Sequence, residues 1–586
     1  MENLLNIILF LPALSTLLMF GKMMDNTSAK YYAIAISAVE LGLCILLWCL
    51  FDSNNPTFQF ISILPITNGI NYYVGVDGIS LFLVVLSAFI TLLCVIFLHS
   101  VEGMKNFLIS LLFLESIMIG VFVSLNMILF YIFWEISLVP MLYIIGAWGS
   151  ERRIYASIKF FLYTFCASLV MLFGILYFAY AYYVATQGTW SFDILDWYSL
   201  QMGVDYQKIL FVAFFVGIAV KVPMFPLHTW LPYAHGQAPT TGSVILAAIL
   251  LKMGTYAFVR FSLPLFPDAS IAFIVPIAIL CVIMVIYAAL IAFAQDDMKQ
   301  VIAYSSISHM GVIVLGTFAL NVEGISGSVF FMLSHGIISG ALFMMVGILY
   351  DRTHTKMIAH YGGIARVMPK YTLLFAILLM GSVGLPLTMG FVGEFLSLLG
   401  FFGVNKFYAF LAGSGIILGA IYMLNLFRNV FLNDLKPHNA NLSDINLRES
   451  CAIIPLVIVV IWLGIYPKPI LDKIHLSVQN LVAFMAKKSV LEENREFLRS
   501  INAGLVDFAD LNNSNSSNLD LNDSALDSGD SAQDSFDLPQ DSGDLLQDSL
   551  DSPQDSFDSP KDSFDLPKDS FDSFDSARII NGEVQL

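Results

Sequence analysis

The sequence predicts an all-α polytopic membrane protein of about fourteen transmembrane helices in two related halves, with two broken helices and a disordered acidic C-terminal tail. Three observations carry that prediction. Of 586 residues, 58% are hydrophobic and only 12% are charged, and the mean hydropathy is +0.77; this is the composition of a chain that lives in lipid. Apolar runs recur at the ~20-residue length a spanning helix needs, without the two-residue alternation of barrel strands. Prolines and ionisable residues interrupt some of those runs, and irregular backbone at membrane depth persists only where protein or a wet cavity covers it.

The expected spans fall near residues 4–20, 31–51, 79–98, 107–125, 127–148, 154–184, 208–225, 241–262, 270–294, 299–320, 325–350, 371–401, 407–431 and 451–467. The first has neither a basic n-region nor a small-residue cleavage site, so it reads as a span and not a signal peptide. The chain then divides into N-terminal helices (1–98), a first half (107–262), a second half (270–431), a last helix with an amphipathic segment (451–504) and a tail (505–586). Thirteen basic residues, Arg152, Arg153 and Lys299 among them, fall in odd-numbered loops, against Lys208, Arg260 and Lys406 in even-numbered ones. Basic residues mark cytoplasmic loops, which puts both termini on the periplasmic side of a bacterial inner membrane. Lys468, Lys473, Lys487 and Lys488, beyond the last span, argue weakly the other way.

The net charge of −17 belongs to the tail. Residues 505–586 hold 20 acidic and 3 basic side chains, leaving 25 of each sign elsewhere. The acidic balance therefore describes no partner of the membrane body, and nothing in the chain resembles a basic nucleic-acid surface. Residues 534–575 repeat every seven (DSFDLPQ, DSGDLLQ, DSLDSPQ and so on). Proline in four units and Asp at two fixed positions exclude a coiled coil, so the array reads as disordered.

Four ionisable residues lie inside apolar runs: Glu135, Lys221, Lys252 and Glu394. A charge at bilayer centre costs roughly 2.5–3.5 kcal/mol on insertion scales, and it persists where it faces a protein interior or a wet pathway. Lys221 precedes VPMFPLHTWLPYAHGQAPT, with prolines at 223, 226, 232 and 239. In GSVGLPLTMGFVGEF, Pro386, Gly390 and Gly393 lead into Glu394. Two interrupted spans five helices apart are the pattern of a transporter built from two related halves. A Glu135–Lys221 pair that forms and breaks would change how tightly the lysine holds its proton. Lys252 would receive that proton, His309 and His335 would relay it at physiological pH, and Glu394 would be the terminal site. Glu115 and Lys159 also lie in spans as secondary members. Glu40 and Arg428 stand nearer span ends and read as interfacial or inter-subunit residues.

Metal and redox chemistry find little footing. The six cysteines (Cys44, Cys49, Cys94, Cys166, Cys281 and Cys451) form no C-x-x-C or cluster spacing and read as packing residues. His228 and His235 flank prolines without H-E-x-x-H or an evident third ligand. No metal, cofactor site or redox centre is expected. GSGIILGA (413–420) lies inside an apolar helix, where Gly415-xxx-Gly419 is a helix-packing motif and not a nucleotide fingerprint.

At these residues the chain resembles the antiporter-like subunits of respiratory complex I, the NADH-quinone oxidoreductases. The matching strings are FYIFWEISLVPMLYIIGAWG around Glu135, KFFLYT at 159–164 and KVPMFPLHTWLPYAHGQAPT from Lys221. They continue with LLKMGTYAFVRF around Lys252, AYSSISHMG around His309, LSHGIISGALF around His335 and GFVGEFL around Glu394. The resemblance covers roughly residues 1–500 and leaves the repeat tail outside the family pattern. Glu394 stands where chain L is expected to carry lysine, and no long lateral helix follows the last span, which sets this chain apart from that branch. The resemblance implies a proton-translocating module with Glu135 and Lys221 as modulating pair, Lys252 as central relay and Glu394 as exit-side site. It implies no cofactor in this chain, with NADH, flavin, iron–sulfur clusters and quinone on partner subunits. The implied partners are other membrane-arm subunits, including antiporter-like chains L and N, and the lipid bilayer. The nearest rival is a Na+/H+ antiporter subunit of a multi-subunit cation/proton antiporter.

Overall fold

The computed structural model describes residues 3–20, 24–67, 69–99 and 101–505; the acidic repeat lies outside them. Among the described residues, ten helices are long and apolar enough to cross a membrane, joined by shorter apolar helices Leu4–Met19, Leu81–Phe97, Pro369–Ser382 and Met389–Val404. The protein is a mostly helical membrane protein.

Helices α1 (Leu4–Met19) and α2 (Asn26–Leu50) lead to a β-hairpin of β1 (Gln59–Thr67) and β2 (Ile70–Val76). The strands are antiparallel, with Leu64 opposite Tyr72 and Thr67 opposite Ile70. The all-helical expectation passed over this hairpin, because a 20-residue hydropathy window averages out two short strands. The local signal was present: Asn-Gly at 68–69 is the dipeptide favoured in two-residue hairpin turns, flanked by β-branched and aromatic residues.

Next come α3 (Leu81–Phe97), α4 (Met104–Val123), α5 (Met127–Ile136), α6 (Leu138–Trp148), α7 (Arg153–Ala185), the short α8 (Ile194–Ser199), α9 (Val204–Lys221) and α10 (Trp230–Gln237). The chain continues through α11 (Thr240–Leu265), α12 (Ile274–Phe293), α13 (Met298–Thr317) and α14 (Val322–Thr353). It ends with α15 (Pro369–Ser382), α16 (Met389–Val404), α17 (Lys406–Leu432), α18 (Leu447–Ile465), α19 (Lys468–Lys488) and α20 (Glu492–Ile501). Three π-turns interrupt the regular ladder, Leu246–Leu250 and Phe258–Ser262 within α11 and Arg428–Leu432 at the end of α17.

Helix α14 forms the centre, packed by α11, α13, α15, α16, α18 and α19. Its glycines and serines allow close approach. A Cβ at Gly336 would sit 2.8 Å from the carbonyl oxygen of Ala248 in the first π-turn of α11. The outer surface is apolar instead, with Phe173, Leu373, Phe410 and Ile417 all exposed. In water such a surface would drive association; in a bilayer it is the solvated face.

Two expectations are corrected by this packing. Cys49, Cys166 and Cys451 are exposed, so only Cys44, Cys94 and Cys281 pack inside. Glu40 is fully buried, not interfacial. It lies on the one inward stripe of α2, formed by Ala29, Ala33, Ser37, Glu40, Cys44 and Leu47 at helical spacing.

Candidate functional site

Helix α9 ends at Lys221 because prolines follow at 223 and 226, and proline supplies no backbone donor. Other groups satisfy the open end. The Trp230 indole donates to the Val220 carbonyl at 2.8 Å, and the Met224 amide donates to the Ala219 carbonyl at 2.8 Å. A helix C-terminus is also the end that favours a cation. Lys221, 2% exposed, donates to Ser137 Oγ at 3.1 Å, and its Nζ lies 4.8 Å from the centre of the Trp134 ring.

Ser137 occupies the joint between α5 and α6, two residues after Glu135. Glu135 and Lys221 feel each other's charge, yet they do not form an ion pair. Among the described residues the ion pairs are Arg260–Asp77, Arg352–Glu449, Arg448–Glu449, and Glu492 with Arg495 and Arg499. The Glu135 carboxylate turns toward the hydroxyls of Ser168 and Tyr131, and Ser137 takes the ammonium instead.

Lys252 sits in α11 directly after the first π-turn, at 0% exposure. Its Nζ donates to the Ala247 carbonyl at 2.5 Å and lies 2.6 Å from His335 Nδ1 on α14. His309 on α13 faces His335, with ring centres 5.6 Å apart. Nε2 of each histidine is buried without a hydrogen-bond partner. A cavity of about 10 Å³ lined by Ser305, His309, His335, Ser339 and Ser382 joins them, at the lower limit of room for one water molecule.

The second interruption borders that cavity. Helix α15 closes at Ser382, and the chain turns through Gly384 at φ +76°, a left-handed conformation that glycine adopts without strain. A Cβ there would lie 2.7 Å from Glu394 Oε2, so the absent side chain leaves room for the carboxylate over the break. Tyr422 on α17, 2% exposed, lies near Ser305 and within electrostatic range of Glu394. Ser305 also lines the histidine cavity.

The structure thus draws Lys252, His335 and His309 into one cluster, places Glu394 over the helix end that borders it, and sets Lys221 beside Glu135. It does not bring in the two secondary candidates. Lys159 turns to the Tyr233 ring, 3.9 Å from its centre. Glu115 is buried among α2 and α3 with both oxygens unpartnered. His235, set aside as a proline neighbour, is fully buried and stacks on Phe343 at 4.6 Å.

Sequence reasoning missed Ser137, Ser305 and Tyr422. Tyr422 stands three residues after Gly419 and seven after Gly415, on the same face as that packing motif, so its inward direction was legible. The hydroxyls of Ser137 and Ser305 carried no such signal. Among the described residues no group of three or more His, Cys, Asp or Glu comes together as a metal site.

Comparison with known proteins agrees with this architecture. Residues 124–419 match the family described as NADH:quinone oxidoreductase/Mrp antiporter, transmembrane. The chain is 47% identical to NADH-quinone oxidoreductase subunit M of Rickettsia bellii over 491 residues, covering 82% of this chain and 98% of the relative. It is 45% identical to NADH-ubiquinone oxidoreductase chain 4 of Arabidopsis thaliana, covering 75% of this chain and 91% of that one. A solved chain of respiratory complex I from Thermus thermophilus with bound NADH superposes with a TM-score of 0.74 at 28% identity, covering 81% of this chain and 99% of that one. With a relative of 47% identity matched along nearly its whole length, this chain belongs to the subunit M (mitochondrial chain 4) family of NADH-quinone oxidoreductases.

Proposed function

We propose that this chain is a proton-translocating membrane-arm subunit of an NADH-quinone oxidoreductase, with Glu135, Lys221, Lys252, His335, His309 and Glu394 carrying the protons. The observation that supports this most is Lys252. Its ammonium nitrogen is fully buried, has no carboxylate partner among the described residues and lies 2.6 Å from an imidazole nitrogen. A static buried lysine would be paired with an acid; one set against a histidine is placed to pass a proton.

The chain supplies electrostatics and proton sites, while NADH, flavin, iron–sulfur clusters and quinone belong to partner subunits. Redox energy released there reaches this subunit as a change in charge pairing. Moving one charge against the membrane potential costs about 2.3 kcal/mol per 100 mV, within the ~3–5 kcal/mol scale of disrupting a buried pair. The Glu135–Lys221 contact is the natural entry for that signal, since the two groups are neighbours without being locked together. His235, between α10 and α14, belongs with the lysines that influence it, Lys252 and Lys299.

Counting α5–α6, α9–α10 and α15–α16 each as one span gives fourteen. The halves run from α4 to α11 and from α12 to α17. In support, each half carries an interrupted span beside an ionisable residue, followed by a long helix with a π-turn. Antiporter-like chains L and N are the expected neighbours, and the distribution of basic residues favours periplasmic termini.

The test is proton uptake by inverted membrane vesicles carrying the assembled complex, with NADH-driven quinone reduction measured in the same sample. Lys252→Ala should lose both. Normal pumping in that variant would overturn the role given to Lys252. Untouched electron transfer with loss of Na+-dependent proton exchange would make the chain an antiporter module instead.

A further inference from the structure

A second polar cluster lies among the N-terminal helices, away from the lysine and histidine row. Helices α2, α3 and α4 pack on one another. The inward stripe of α2 presents Ser37, Glu40 and Cys44 within two turns. Thr91 and Cys94 share a face of α3 by their three-residue spacing, and Glu115 comes from α4. All six side chains are 0% exposed.

Their oxygens are unusually bare. Both carboxylate oxygens of Glu115, Oε2 of Glu40 and the hydroxyls of Ser37 and Thr91 have no hydrogen-bond partner. Oε1 of Glu40 has only the Cys44 thiol, at 3.9 Å. The carboxyl groups of Glu40 and Glu115 lie within range of each other's charge, and the thiols of Cys44 and Cys94 are the other titratable groups that feel Glu115. Among the described residues no lysine, arginine or histidine acts on either carboxyl.

Buried polar atoms in folded proteins are nearly always satisfied, so five orphaned oxygens on three adjoining helices call for a ligand. The donor set is four hydroxyl or carboxyl side chains, which suits a proton or a small hard cation and excludes an anion. One proton on either of two buried carboxyl groups that feel each other's charge, with no counter-charge, relieves their repulsion in an apolar interior.

We propose that Glu40 and Glu115 form an acidic dyad that takes up one proton, as a protonation site separate from the lysine–histidine row. Ser37, one turn before Glu40 on α2, and Thr91 on α3 add two further buried hydroxyls without a partner. The side of α4 that supplies Glu115 belongs to a helix that also touches α11, the helix of Lys252. The dyad needs none of the groups in the row, so the two readings fail independently.

Infrared difference spectroscopy on the whole complex in native membranes tests this, at mildly alkaline pH where a solvated carboxyl is fully ionised. The spectrum of the native complex minus that of Glu115→Gln should contain a protonated-carboxyl C=O band that shifts in D2O and is the same in KCl and NaCl. The Glu40→Gln difference should contain the same band, and it serves if the Glu115 variant does not assemble; Glu40→Asp should keep the band at a shifted position. Absence of the band from both difference spectra overturns the dyad. A band that NaCl abolishes overturns the proton assignment in favour of bound sodium.

Discussion

The side-chain nitrogen of Lys252 lies 2.6 Å from Nδ1 of His335 and 2.5 Å from the carbonyl oxygen of Ala247. The first π-turn of α11 offers that carbonyl to a side chain on its own helix, and α14 supplies the imidazole. With Lys252 donating, the neutral ring carries its own proton on Nε2, an atom left unpartnered in a ring whose centre is 5.6 Å from that of His309.

Removing either end of this contact should break the relay. A positioned proton-transfer group contributes roughly 10²–10⁴-fold to a rate, so Lys252→Met or His335→Phe should lower coupled proton transfer by at least about 10²-fold. The measurement is the rate of NADH-driven vesicle acidification. Electron transfer from NADH to an artificial acceptor upstream of quinone should remain normal, which separates a lost relay from a lost complex.

Ser137 should matter despite carrying no charge. Its hydroxyl donates to the Trp134 carbonyl at 2.6 Å, so its lone pairs face Lys221. Ser137→Ala removes a hydrogen bond to a charged group, worth about 1.5–3 kcal/mol, and should slow pumping by roughly 10- to 100-fold. Ser137→Thr should restore most of it. Equal pumping in Ser137→Ala and the native complex would show that Trp134 alone holds the ammonium.

Gly336 sets the distance between α14 and α11. A methyl group there would meet the Ala248 carbonyl at 2.8 Å and Leu86 Cδ2 at 2.9 Å. Gly336→Ala should therefore part the helices at a cost of about 1–3 kcal/mol and lengthen the Lys252–His335 contact. Thermal inactivation of the purified complex should shift downward, and pumping and quinone reduction should fall together. A variant unchanged in both would mean that the helices shift without disturbing the pair.

The C-terminal helices should dock in a pH-dependent way. Burial pushes the Lys488 ammonium down to about 7 from 10.5, where it donates to the Trp197 carbonyl at 3.0 Å. Below about 7 the docked state holds a buried charge; between that value and 10.5 docking releases a proton, so docking strengthens as pH rises through this window. Burial raises the Asp268 carboxyl, but hydrogen bonds from Asn494, Ser489, Val490 and Gln207 outweigh it and hold it below 3.8. Its contribution is present above that value and is lost as pH falls through the lower, docked one. Amide exchange across α19, corrected for intrinsic rates, should slow as pH rises from 7, and Lys488→Met should flatten the dependence.

Much of the site was legible from composition alone. A charge inside an apolar run marks an interior or wet position wherever the fold places it, which singled out Glu135, Lys221, Lys252 and Glu394. Proline at 223 and 226 located the end of α9 for a local reason, the missing backbone donor. Glu40 was misread because distance from a span end says nothing about which face of a helix turns inward. Glu135 and Lys221 read as a pair of opposite charges, whereas the fold gives the ammonium to Ser137 and Trp134.

The sequence by itself determined that this chain would span a membrane as helices, that α9 would end before its prolines and which charged groups lie inside apolar runs. The reason is local: hydrocarbon offers the backbone no partners, so helices must satisfy themselves and every exception shows as proline, glycine or a charge. Only the tertiary structure decided that Lys252 would meet His335, that Ser305 would line a cavity with His309 and His335, and that Glu40 would turn inward. Those contacts join helices far apart in the chain. They depend on how closely neighbours approach, which small residues such as Gly336 permit but no local pattern specifies.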